Sequence, residues 1–282
     1  MTSSQVFARS DGLPKSDLEK ALGISAKETK DVLEFDIART DIGEVKGPEG
    51  VQFSPAFEIG GSIFLQSLPK HKAILNGDMA LLPDEVNPFI RSLLANGLTV
   101  QAFHQHFPMM QPQIWYVHFR GKGDPLQLVK STRIAFSKTA IPFPQTSSKS
   151  KSPLDAKRLG KILHGEAEVG EDGVVTVLIP LKNPMKLDGV TISPQLNVST
   201  HVDFKPTGGN NAIAVPDFAM TASQIDPVLK RMTNDQNWLL GCLYNQETDE
   251  EPQLFFSHLL KQGDAYQLAE EIRKGLDLTG AD

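Results

Sequence analysis

GVQFSPAFEIGGSIFLQSLPKHKAILNGDMALLPDEVNP, residues 50–88, lines up without a gap on GVTISPQLNVSTHVDFKPTGGNNAIAVPDFAMTASQIDP, residues 189–227. Ser54-Pro55 falls on Ser193-Pro194, Ala73-Ile74 on Ala212-Ile213, Asp78 on Asp217 and Pro88 on Pro227, at a constant offset of 139. After one inserted residue the match resumes at an offset of 140. It then runs from His104 on Tyr244 to Leu128 on Leu268, through Pro112/Pro252, His118/His258 and Gly123-Asp124/Gly263-Asp264. One structural unit is therefore written twice. Positions kept in both copies are expected to serve the fold, and positions that differ are candidates for function.

The 282 residues suffice for two lobes with a core each. The expected division is a first lobe at 1–141, a linker at 142–153 (PFPQTSSKSKSP) and a second lobe at 154–282. Hydrophobic content of 40% with 22% charged residues is that of a soluble globular chain. A net charge of −6 gives no electrostatic footprint for nucleic acid. No apolar run reaches the roughly 20 residues that cross a bilayer. The opening MTSSQVFARSDGLPKSD lacks the apolar stretch of a secretory signal. The expectation is a cytoplasmic protein, or a secreted or periplasmic one if a leader has been removed. Cys242 is the only cysteine, so disulfides and thiolate clusters are excluded within the chain. In WLLGCLY it reads as a buried packing residue.

Each copy gives the same series of elements. A short helix is expected first, capped by Ser16 with Glu19 and closed by Gly23 in one copy, and opened by Ser152-Pro153 and closed by Gly165 in the other. Extended segments follow at 32–39 and 174–182, then strands near 51–59, 62–68 and 73–82, matched near 190–198, 201–204 and 212–220. A helix is expected from Asn87-Pro88 and from Asp226-Pro227. A hairpin (98–107 with 113–120; 238–246 with 253–260) leads to a last helix after Asp124 or Asp264. Mixed elements with close antiparallel pairs predict an α+β fold: two homologous lobes, each a mostly antiparallel sheet with helices on one face, related by a pseudo-two-fold axis.

The largest difference between the copies is a histidine cluster. With the first hairpin centred near Gln111, alternation places Ala102, His104 and His106 on one face, with His104 across from His118 and His106 across from Tyr116. Three imidazoles then converge at cross-strand spacings of about 4.5–5.5 Å. Such a set can hold one divalent metal, zinc above all, at about 2.0–2.1 Å per bond, with a fourth position left for water or substrate. The alternative is a polar pocket without metal. Glu85 is the expected first-copy carboxylate, as ligand or general base, because its counterpart is Gln224; placement near a helix N-terminus is the competing reading. The second copy carries Tyr244, Gln246 and His258 in place of the three histidines, a degenerate set. Asp78 and Asp217, kept in both copies, are expected in turns or caps. His71, His164 and His201 are expected on loops or the surface, and the acidic run 247–251 in a solvated loop.

With GDMALLPDEVNPFIRSLLANGLTVQAFHQHF, PQIWYVHFRGKGDPLQL, DFAMTASQIDP and PQLFFSHLLKQGDAYQL in place, the chain resembles the LppY/LpqO family of duplicated bacterial proteins. The shared pattern is Gly77-Asp78, Glu85 to Pro88, His104 and His106, His118, and Gly123-Asp124. Family members commonly carry a histidine pair in both copies, where this chain has Tyr244 and Gln246 in the second. The resemblance implies a fold and a shared pocket, with no activity attached. Three readings stay open at this point. One is a metal-dependent hydrolase or lyase acting on a small molecule, the second a non-catalytic metal or small-ligand binder, and the third an interaction protein with a relict pocket.

Overall fold

The computed structural model describes residues 12–145 and 150–279. Part of the expected linker, 146–149, lies outside the described residues. Each repeat forms a six-stranded antiparallel sheet. In the first the spatial order is Lys27–Thr29, Val32–Ala38, Gly60–Leu68, Lys72–Leu81, Trp115–Gly123, Thr99–His104. The second repeats it with Glu166–Val169, Val175–Ile179, Thr200–Gly208, Asn211–Met220, Phe255–Asp264, Leu239–Leu240. No helix among the described residues is long and apolar enough to cross a membrane.

Period-two alternation assigns the two faces of each sheet. One face of the first carries Leu33, Phe35, Ile37, Ile63, Leu65, Leu75, Met79, Val117 and Phe119. It packs on helices Lys15–Leu22, Pro83–Ala95 and Pro125–Phe136. The second sheet does the same against Ala156–Leu163, Ala222–Leu229 and Ala265–Leu276. The opposite faces meet each other, so the molecule is layered helix, sheet, sheet, helix. Segments expected as strands at 51–59 and 190–198 are instead arms that cross to the other lobe. Phe53, Phe57 and Ile59 pack with Ile213, Val215 and Leu260, while Ile192, Leu196 and Val198 pack with Phe64 and Ile74. Equivalent side chains hold the arms: Gln66 Nε2 donates to the Thr191 carbonyl at 3.3 Å, and Lys205 Nζ donates to the Gln52 carbonyl at 2.8 Å. Gln66 and Lys205 correspond at the offset of 139, as do Gln52 and Thr191. The pseudo-two-fold is thus written in individual hydrogen bonds.

The helices expected from Asn87 and Asp226 begin earlier, at Pro83 and Ala222, with the prolines inside. Glu85 explains the difference. Its carboxylate accepts from the Leu82 N–H at 2.9 Å and caps the helix, accepts from the Ala140 N–H at 3.1 Å, and takes two bonds from Arg39 Nη2 at 2.8 and 2.9 Å. Arg39 is fully buried and also donates to the Ala80 carbonyl and to Asp41. Glu85 is therefore a structural carboxylate, and the ligand or base expected of it is corrected: its hydrogen bonds go to the helix cap, the Ala140 N–H and Arg39. Ser16 is likewise no cap, since Pro14 opens that helix, although Gly23 closes it in the left-handed conformation. Asp155, not Ser152, caps the fourth helix, accepting from the Arg158 N–H.

Gly241 of the second lobe lies against His106 and Phe107 of the first. A β-carbon on Gly241 would run into the carbonyl oxygen of His106 and the ring of Phe107, so only glycine permits the approach. Gly241→Ala is expected to lose about 1–3 kcal/mol in urea unfolding through overpacking. Gly123→Ala, with nothing within 4 Å of the added carbon, is expected to stay within about 0.5 kcal/mol. Glu85→Ala, which strips a buried guanidinium of one partner, is expected to lose about 3 kcal/mol in the same urea titration.

Candidate metal centre

The strand Thr99–His104 pairs with Trp115–Gly123 in a register two residues from the expected one: Ala102 faces His118 and His104 faces Tyr116. A bulge between Val100 and Ala102 shifts the pairing by one further residue beyond these two pairs, so that Val100 faces Phe119. An even slip keeps the same faces, so His104 and His118 still share the inter-lobe face. His106 lies beyond the strand end, where the chain bends toward the second lobe.

The rings do gather. His104 lies 5.2 Å from His106 and 5.1 Å from His118, centroid to centroid. They are joined by the second lobe. His258 stacks on His106 at 3.7 Å, and Tyr244 stacks on its own counterpart His104 at 3.6 Å. His104 and Tyr244 thus face each other across the pseudo-two-fold. Tyr116 covers the other side of His106 at 3.4 Å.

The convergent donor atoms belong to a set that differs from the expected three histidines. Glu58, His106 and His258 each offer one ligand atom, all within 4.8 Å of one another. Glu58 Oε2 sits 2.8 Å from His106 Nδ1, and the Glu58 side chain is only 4% exposed. Bonds of about 2.0–2.1 Å to one ion place neighbouring ligand atoms about 3 Å apart, so this spacing suits a shared cation. On its other side, His258 Nδ1 is 3.5 Å from Cys242 Sγ and 3.6 Å from Asp217 Oδ1. At that distance the carboxylate lies beside the imidazole without hydrogen-bonding it, and its Oδ1 has no partner among the described residues. His104 and His118 stand beside the set: both ring nitrogens of His104 and Nε2 of His118 are buried without a partner among the described residues.

Burial governs the electrostatics. It holds His106 and His258 well below the usual imidazole range and His104 below it too. It takes His118 down to about 3, with the nearby His201 adding to the effect. The same burial raises the Glu58 carboxyl well above its ordinary value, helped by Asp203, Asp217 and Asp78, and raises Asp78 to about 7 and Asp217 to about 6. Neutral imidazoles are competent ligands, and a carboxyl surrounded by other acids gains most from a cation.

Several expectations are corrected by these placements. Asp78 and Asp217 are neither turns nor caps; they lie in mid-strand, opposite His118 and His258. His201 is on the inter-lobe face, paired with Asp217. His258, expected as an isolated core histidine, supplies a donor, whereas Gln246 donates from Nε2 to the Asn197 carbonyl at 2.6 Å. The acidic run is folded inward: Glu247 is 1% and Glu250 7% exposed, with Arg120 close to Glu247 and Asp249. Cys242 is partly buried with its thiol pushed up by burial, in keeping with packing, yet it touches a candidate ligand. Glu58 was overlooked, although the signal was present: its counterpart is Asn197, a carboxylate found in one copy alone. Glu58 also adopts φ 71°, a left-handed conformation that costs a glutamate energy and that asparagine, at φ 59° in Asn197, accepts more readily. Two surface cavities of about 100 and 220 Å³ lie beside Gly12 and Leu13, and no histidine of the cluster lines either.

No curated protein matches the chain. Among solved structures, a trimeric bacterial microcompartment shell protein, PduB, aligns at 9% identity over 92% of this chain and 91% of that chain. The TM-score is 0.22, and at that level the likeness carries no argument. A family model described as Domain of Unknown Function (DUF1259) matches residues 16–138 and again 157–278, one match in each lobe. The chain belongs to this family, as a tandem duplication of its unit.

Proposed function

We propose that the protein binds one divalent transition-metal ion between its lobes, through Glu58 and His106 of the first and His258 of the second. The observation that carries this reading is the convergence of those three donor atoms within 4.8 Å in a buried interior. Two imidazoles and a carboxylate form a donor set used for zinc, and the same set suits ferrous iron. Zinc is the expected ion. His104, His106 and His118, the set expected from the sequence, contribute one ligand, His106, and two neighbours. The resemblance to LppY/LpqO proteins brings no activity with it, so the reading rests on geometry.

A second reading, a metal-dependent hydrolase or lyase, draws on two observations. Three protein donors leave a coordination position for water, whose pKa a bound zinc lowers toward 7. His104 stands beside the set with both nitrogens buried and unpartnered among the described residues, and the burial that lowers its pKa makes it a hydrogen-bond acceptor for such a water rather than a strong base. Binding of an ion is the primary reading because the donor set alone carries it, and turnover of a small molecule is the secondary one.

Elemental analysis of untagged protein is expected to give one divalent ion per chain. Glu58→Gln, His106→Ala and His258→Ala should each lower metal affinity at least a hundredfold, with His104→Ala and Glu85→Gln close to wild type. Loss of metal in His104→Ala with retention in His258→Ala would overturn the assignment.

The pH dependence has a definite sign. The metal-free Glu58 carboxyl is protonated because its pKa is raised, whereas His106 and His258 are already neutral. Binding therefore releases about one proton, and the Kd is expected to fall about tenfold per pH unit below the Glu58 pKa. Titration calorimetry in buffers of different ionisation enthalpy measures that proton. In metal-free protein, His118 acts on stability instead: its depressed pKa gives a contribution complete above about 6.5 and lost as pH falls toward about 3. His118→Gln is expected to flatten that acid limb in urea titrations.

A further inference from the structure

The pseudo-two-fold that relates the lobes also has an image of the metal set. Glu58 corresponds to Asn197 at the offset of 139, and His106 to Gln246 and His118 to His258 at the offset of 140. The image of Glu58, His106 and His258 is thus Asn197, Gln246 and His118. Each set takes two residues from one lobe and a histidine from the other.

The image keeps its shape. Glu58 and Asn197 are both left-handed, at φ 71° and 59°. Each is tied to its partner through different atoms: His106 Nδ1 meets the Glu58 side-chain carboxylate at 2.8 Å, and Gln246 Nε2 donates to the backbone carbonyl of Asn197 at 2.6 Å. His258 and His118 are 3% and 4% exposed, and each is the strand neighbour of an aspartate, Asp217 or Asp78. What differs is donor chemistry. Asparagine and glutamine keep size and hydrogen bonding but give up the negative charge and the imidazole nitrogen, and neutral amides are weak ligands for transition metals. The histidine left in the image has its Nε2 buried without a partner.

We propose that the position bounded by Asn197, Gln246 and His118 is a second divalent-metal site, disarmed by two side chains, and that Asn197→Glu with Gln246→His arms it. The proposal rests on the reading of the Glu58 set as a metal site. In the native chain the disarmed half leaves His118 and His104 as neutral imidazoles flanking a single ion, so a symmetric scaffold carries an asymmetric centre.

The test is metal stoichiometry by equilibrium dialysis against Zn²⁺, with Co²⁺ absorption as the spectroscopic readout. Wild type is expected to hold one ion and the Asn197→Glu/Gln246→His variant two. Adding His118→Ala should return the count to one. Adding Glu58→Gln and His106→Gln instead should leave one ion, now in the second site. A double variant with native circular dichroism and an unchanged first-site cobalt spectrum that still holds one ion overturns the proposal. Wild type holding none while the double variant holds one overturns the Glu58 reading and keeps this one; none in either overturns both. Should the double variant fail to fold, Gln246→His alone, which supplies two of the three donors, is expected to take a second Co²⁺ about a hundredfold more weakly than the first. A folded single variant that takes none overturns the proposal.

Discussion

Polar side chains trapped between two sheets set the terms for this molecule. The helix-facing sides of both sheets are apolar, and their packing needs no special chemistry. The inner faces carry His104, His118, His201 and His258 together with Asp78, Asp203 and Asp217, and the first arm and hairpin add Glu58 and His106. Each buried polar group without a partner costs about 1–3 kcal/mol, and a buried charge costs more. The protein lowers that cost by pushing the imidazole pKa values down and the carboxyl pKa values up, each toward its neutral form. That arrangement still leaves nitrogens on His104 and His118 without partners. A cation reverses the balance: the acids ionise against it and neutral imidazoles ligate it.

The duplication explains how such an interior is built. Each lobe sends an arm across the other, and Gln66 and Lys205 fasten the arms at equivalent points. The crossing arm brings Glu58 to the centre, beside His258 of the second sheet. A set assembled from both lobes also couples the metal to their mutual position. An ion that binds only the assembled pair stabilises the interface by its binding free energy, about 4 kcal/mol at a thousandfold excess over Kd. The Glu85–Arg39 pair works on the other side of the sheet, where it fixes a helix start and a buried guanidinium. A carboxylate near a conspicuous motif is thus no evidence of chemistry until its partners are known.

The repeat and the α+β architecture were legible in the sequence because the side-chain period and the copy-to-copy match are local properties. The histidine cluster was legible for the same reason: residues of one hairpin stay neighbours even when the register slips, as it does by two at His104. What escaped was set by contacts between lobes. His258 reads as a solitary histidine in its own hairpin and finds His106 only across the interface. Asp78 and Asp217 looked structural because both copies keep them, yet a two-fold axis brings equivalent residues of both copies to one interior. The acidic run 247–251 read as solvated, but Glu247 and Glu250 are folded inward and Arg120 lies beside Glu247. Comparing the copies position by position separates these cases better than motif reading. Glu58/Asn197 and Glu85/Gln224 show the same loss of charge, and backbone conformation tells them apart.

That conformation is the most economical argument for function. Glu85 sits in a helix, where glutamate is at ease. Glu58 is held at φ 71°, at a cost on the order of 1 kcal/mol or more, in an interior that also opposes its charge. Asparagine at the equivalent position relieves both penalties and preserves the arm, as the second lobe demonstrates. A carboxylate that the same fold can do without, kept where backbone and solvation both disfavour it, is accounted for by a ligand that stabilises its ionised form. The cation proposed between Glu58, His106 and His258 would do that.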